Sequence, residues 1–124
     1  MGNRSKYKVL FYKTETGRRP TGDFLSSLPL KVRVKILKWI QKLEEYGPDL
    51  PRPYADIVSG KIRELRVVFA STQYRLLYFF YGKYIIITHS FIKKTDEVLD
   101  NELEKAQNLM RDFELRLNEG DIKL

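Results

Sequence analysis

Hydrophobic and polar positions recur with two different periods along this chain, and the changes of period mark its elements. Tyr7 to Lys13 (YKVLFYK) is rich in aromatic and β-branched residues and predicts a strand. Gly17 to Pro20 breaks it, and Thr21 or Asp23 is placed to cap a short helix running through Ser26. Pro29 separates this from a longer helix, about Leu30 to Tyr46. There Val32, Ile36, Trp39, Ile40 and Leu43 recur at the spacing of one buried stripe. Gly47-Pro48 stops the helix, and Pro48, Pro51 and Pro53 predict a loop over 47–60. Three strands follow, at about 61–69, 73–81 and 84–91, with turns at Ser71-Thr72 and Gly82-Lys83. A last helix covers about 101–117, with Leu99, Leu103, Ala106, Met110, Phe113 and Leu117 as its apolar stripe. The order β-αα-βββ-α predicts an α+β domain: a small antiparallel sheet with helices packed on one face. Residues 1–124 read as a single domain, with 1–6 a flexible tail.

Side chains alternate across a strand, so the hairpins can be read by parity. Two-residue turns at the predicted places set Val68 opposite Arg75, Arg66 opposite Leu77, Tyr81 opposite Tyr84 and Arg75 opposite Ser90. One face then carries Leu65, Val67, Phe69, Tyr74, Leu76, Tyr78, Phe80, Ile85, Ile87, His89 and Phe91, and should meet the helices. The other holds Glu64, Arg66 and Arg75 among mixed neighbours. Two arginines inside a small sheet need anions close by. Either Glu64 satisfies them as a salt-bridge cluster, or they form a phosphate pocket, since guanidinium groups bind phosphate oxygens bidentately. Lys93-Lys94, just past the third strand, adds charge at the same edge. His89 falls on the apolar face as a core histidine bonded to a helix. A bulge or a three-residue turn would move it to the arginine face, where it would serve as acid or base. Tyr81 and Tyr84 are open-face aromatics able to stack on bases. With the cations Lys61, Arg63 and Lys83 they complete a candidate RNA-contacting set.

Composition narrows the chemistry. There is no cysteine and a single histidine among 124 residues, which excludes disulfides, a cysteine nucleophile and cysteine-ligated zinc. No metal-ligand spacing is visible, and the expectation is no cofactor. The longest apolar run, Leu76 to Tyr81, is too short for a membrane span, and no signal-peptide pattern opens the chain, so a cytoplasmic protein is expected. Charge is divided by position. Residues 1–94 hold 19 basic and 7 acidic side chains, against 4 and 9 in residues 95–124. A basic body with an acidic end predicts a polyanion partner held on one part of the surface, nucleic acid being the commonest.

Four segments together resemble a known family. They are Arg63-Glu64-Leu65-Arg66, Tyr74-Arg75-Leu76-Leu77-Tyr78, His89-Ser90-Phe91-Ile92-Lys93-Lys94-Thr95 and Glu102-Leu103-Glu104-Lys105-Ala106. Their order and spacing resemble the HigB-like, phage-derived branch of the RelE/ParE toxin superfamily over about Tyr7 to Phe113. The resemblance implies a RelE-like fold and the toxin of a type II toxin–antitoxin pair. It implies a metal-independent endoribonuclease that cleaves mRNA on the ribosome, with a helix-turn-helix antitoxin as partner. Matched motif by motif, Arg66 and Arg75 would clamp the phosphate, Lys93 or Lys94 would neutralise charge, and His89 would be the acid/base candidate. Two departures stand out: Thr95 to Asp100 replaces a Thr-Pro-type segment, and position 64 is Glu where other RelE-type toxins often carry a basic residue. The superfamily also includes gyrase-inhibiting ParE-type toxins, which are one alternative. A basic RNA-binding module without catalysis is another.

Overall fold

The computed structural model describes residues 5–94 and 100–124. The expectations for Thr95 to Leu99, and for the first four residues of the tail, lie outside the described residues. The elements are β1 (Lys8–Phe11), α1 (Pro20–Ser26), α2 (Leu30–Tyr46), β2 (Ala55–Ser59), β3 (Ile62–Phe69), β4 (Thr72–Tyr81), β5 (Tyr84–Lys93) and α3 (Asp100–Asn118). The class is α+β, as expected. The sheet has five strands in the order β1-β5-β4-β3-β2. It is mixed rather than antiparallel throughout, which corrects the expectation: β1 runs parallel to β5, while the other pairs are antiparallel.

Three further expectations need correction. The proline-rich stretch hides a strand: β2 begins just after Pro53 and adds an edge to β3, consistent with prolines being tolerated outside a ladder. α1 starts at Pro20, with Arg19 as its cap residue. Proline suits the first helical position, where its missing N–H costs nothing. Thr21 instead sits inside, its hydroxyl 2.7 Å from that of Ser90. Finally, the helices do not share one face. α1 and α2 cover one side, with Val32, Ile36, Ile40 and Leu43 packed on Leu65, Val67, Leu76, Tyr78, Ile85 and Ile87. α3 covers the other, where Phe113 meets Phe79 and Ile86, and Ala106 meets Ile62 and Leu77. The second face carries enough apolar residues among its charges to need a partner of its own.

Registers differ from the parity reading at two points. The β3–β4 turn is Ala70-Ser71, both at positive φ (49° and 71°), so Phe69 pairs with Thr72 and Arg66 lies opposite Arg75. Paired positive-φ residues match the twist of flanking strands, which decides the turn although neither residue is glycine. The shift is two positions, so every side chain of β3 keeps its predicted face. The β4–β5 turn is as expected, Tyr81 opposite Tyr84. Further along, a bulge intervenes: Tyr78 pairs with Ile87, but Leu77 pairs with His89. Thr88 is the extra residue, fully buried, its hydroxyl bonded to the Leu77 carbonyl at 3.3 Å. Beyond it the faces invert, because an inserted residue moves all later side chains across the sheet. Ser90 goes to the α1 side, whereas His89, Phe91 and Lys93 join the arginine face.

Candidate functional site

β3 and β4 place Arg66 and Arg75 side by side, and the post-bulge part of β5 brings Phe91 opposite Arg75 and Lys93 opposite Gln73. These residues occupy the end of the sheet face that lies beyond the start of α3. His89 is the diagonal neighbour of Arg75 across the β4–β5 pair, about 7–8 Å away between backbones. Four of the five residues first singled out for chemistry, Arg66, Arg75, His89 and Lys93, therefore share one region of one face. Lys94 is exposed at its margin.

The charges there form a chain. Glu64 is 4% exposed and Arg75 5%. Arg75 Nε lies 3.1 Å from Glu64 Oε1, off the line of the N–H bond, so the contact is an ion pair rather than an aligned hydrogen bond. Its other nitrogens donate to the Tyr74 carbonyl and, at 2.7 Å, to the Gln73 side chain. Arg66 donates from Nε to Glu64 Oε2 at 2.9 Å and from Nη2 to Asp56 at 3.3 Å. Asp56 also takes Arg52 at 3.0 Å. Burial pulls the Arg75 pKa down, and Arg66 adds to this, against the opposing pull of Glu64. The Asp56 carboxyl is held below its ordinary value, chiefly by the Ile57 amide, with Arg52 and Arg66 adding to this. The salt-bridge cluster foreseen from Glu64 is present. Within it Arg75 is a buried strut, and Arg66 is the partly exposed member whose Nη1 makes none of these bonds.

His89 takes a different anchor. Its Nε2 lies 2.8 Å from Glu102 Oε1 on α3, and its ring stacks on Phe91 with centroids 5.5 Å apart. A helix partner was expected, but on the other face; the bulge accounts for the change. A carboxylate on one ring nitrogen fixes the imidazole's orientation, the arrangement that acid–base histidines use.

The candidate RNA-contacting residues lie elsewhere. Tyr81, Lys83 and Tyr84 surround the β4–β5 turn, at the opposite end of the strands from Arg75. Six residue steps of strand separate Arg75 from Tyr81, roughly 20 Å. Tyr81 meets Phe113 edge-on, and Lys83 lies over the Tyr84 ring. Lys61 pairs with Glu114 at 3.6 Å. Arg63 sits over Phe80 on the α2 side of the sheet.

Two aromatics outside the candidate set border the arginine region. Trp39 of α2 stacks on Tyr54, centroids 4.5 Å apart and planes at 21°. With Lys35, Arg66, Gln73 and Arg75 they line a cleft of about 360 Å³. Trp39 occupied a position of the α2 stripe, so periodicity alone made it core. Tyr54 sits in the proline-rich stretch, which gave no signal. Among the described residues, no cluster of His, Asp or Glu is arranged to hold a metal, and no helix is long and apolar enough to cross a membrane.

The profile of the family described as "Phage derived protein Gp49-like (DUF891)" matches residues 23–111. The chain belongs to this family. It is a phage-derived, toxin-like family of RelE type found in toxin–antitoxin systems. The matched span runs from α1 into α3 and includes every residue of the arginine cluster. A search of curated proteins finds no match.

Proposed function

We propose that this chain is the toxin of a toxin–antitoxin pair and a metal-independent endoribonuclease of the HigB-like type, cleaving mRNA on the ribosome. What carries the reading is the grouping of Arg66, Arg75 and Lys93 at one end of one sheet face, in a chain of a toxin-like family.

The chemistry asked of these residues is modest. The RNA 2′-hydroxyl attacks its own adjacent phosphorus, the bond to the 5′-oxygen breaks, and a 2′,3′-cyclic phosphate and a 5′-hydroxyl result. One proton leaves the attacking oxygen and one reaches the leaving oxygen. Negative charge grows on the phosphoryl oxygens in between, and fixed cations stabilise it without reorganising. Arg66 and Lys93 supply those cations, with Lys94 at the margin. Arg75, through Glu64, holds Arg66 in place and is a positioning residue. His89, oriented by Glu102, is the proton carrier. A cognate antitoxin, a helix-turn-helix protein, restrains the activity.

The test is induction of the chain in cells, followed by mapping of mRNA 5′ ends. New ends inside translated transcripts are expected, and Arg66→Ala should abolish them. Intact transcripts accompanied by DNA breaks would replace the nuclease with a gyrase-directed toxin.

A further inference from the structure

The cleft between α2 and the end of β3 shares Arg66 and Arg75 with the chemistry above, but its aromatic side has no part in it. It lies where β2 stops covering β3: the last bond between them is Arg66 N–H to the Tyr54 carbonyl, at 2.8 Å. Past that point the Val68 carbonyl is taken by the Lys35 ammonium. Pro53 and Val68 form apolar parts of the cleft wall; the rest of the lining divides into two kinds. Trp39 and Tyr54 offer stacked π surfaces, and Tyr54 is 40% exposed. Lys35, Arg66 and Arg75 supply positive charge, and Gln73 supplies an amide. A volume of about 360 Å³ is near the lower bound of the roughly 300–1,000 Å³ usual for ligand sites. That suits one planar ring rather than a long ligand.

We infer that this cleft is a nucleobase subsite, in which one base of single-stranded RNA stacks on Tyr54 backed by Trp39. The inference rests on the nuclease reading for its substrate class. Arg66 lines the cleft and also belongs to the proposed phosphate site. A nucleotide held there would therefore have its base in the cleft and its phosphate at the arginine. Stacking tolerates every base, because each has a π face. The Gln73 amide nitrogen, whose carbonyl is already engaged by Arg75, is a donor available to a base edge. This geometry immobilises the nucleotide beside the attacked phosphorus, which in-line chemistry requires.

Trp39 is the only tryptophan of the chain, so its fluorescence reports on this cleft alone. The probe is a short single-stranded 2′-O-methyl RNA, which cannot be cleaved, compared with an abasic strand of the same length. Quenching by the base-bearing strand and little by the abasic one is expected. Tyr54→Ala should weaken binding of the base-bearing strand about tenfold, at the value of one stacked base, with the abasic strand unaffected. Tyr54→Phe should restore it, with the melting temperatures of both variants as folding controls. Equal quenching by the two strands overturns the subsite, as does binding seen by anisotropy with no quenching. A protein that cleaves RNA yet shows no base-dependent quenching loses the subsite alone. One that quenches but never cleaves keeps the subsite and loses the nuclease.

Discussion

The two faces of the sheet are covered in different ways. The α2 side is a continuous apolar layer, in which Ile36, Leu43, Leu65, Leu76, Ile85 and Ile87 are all wholly buried. The α3 side is broken: two small apolar clusters alternate with charged networks, Arg75–Glu64–Arg66–Asp56 at one end and Tyr12–Asp112–Arg116 at the other. Apolar packing is non-directional and tolerates exchange, whereas a buried charge must keep its partner. The α2 side therefore supplies stability, and the α3 side holds cations in fixed positions next to solvent. A phosphate-handling site fits the second kind of surface.

The largest expected effect tests that division on the charged side. Glu64→Ala leaves Arg75 buried without its anion and should cost about 3–5 kcal/mol, read as a lowered denaturant midpoint. A loss under about 1 kcal/mol would mean the cluster is not a strut. For the same reason Arg75→Ala is a poor probe of catalysis, since unfolding and lost chemistry would coincide.

On the apolar side, Leu76→Ala should cost about 2–5 kcal/mol through lost burial and the cavity left behind. Cleavage per folded molecule should be unchanged. Reduced cleavage with intact folding would place this core in contact with the chemistry.

Arg66→Ala should behave in the opposite way. Arg66 is 28% exposed and Glu64 keeps Arg75 as a partner, so the fold should survive while mRNA cleavage falls about 100-fold or more, the usual effect of removing one charge-stabilising donor. Full cleavage in a folded Arg66→Ala protein would remove Arg66 from the site.

The second charged network predicts a pH response. The Asp112 carboxyl meets a burial penalty that would raise its pKa, but the Tyr12 hydroxyl and Arg116 outweigh it, and the pKa stands below its ordinary value. A carboxyl with a depressed folded-state pKa stabilises above its unfolded pKa. That contribution fades as pH falls through about 4 and below. In Asp112→Asn this acid-dependent part should be absent, visible as a shallower loss of melting temperature on acidification. Asp112 is about a third exposed, so solvent screening keeps the effect small. Smallest of all, Lys61→Ala removes an exposed pair with Glu114 and should change stability by under about 1 kcal/mol, whether or not RNA binding changes.

Much of this fold was legible in the chain. The α2 stripe, the boundaries of β3 and β4, the β4–β5 turn and the faces of Glu64, Arg66 and Arg75 follow from local periodicity and turn chemistry. A parity argument survives an even register shift, which is why the Ala70-Ser71 turn left the arginine face intact. The same argument fails at a single inserted residue. Thr88 carries no mark of a bulge in its type or its neighbours, and its effect on His89, Ser90 and Phe91 is total.

The residue pattern alone determined the class, every element but β2 and the presence of two arginines on one sheet face, because periods of 2 and 3.6 residues are local properties of the backbone. The tertiary structure decided what those residues meet. It set α3 on the second face, turned His89 toward Glu102, closed Arg75 against Glu64 and stacked Tyr54 on Trp39. Each of these contacts joins positions distant along the chain or hangs on one bulge, and no local pattern encodes such pairings.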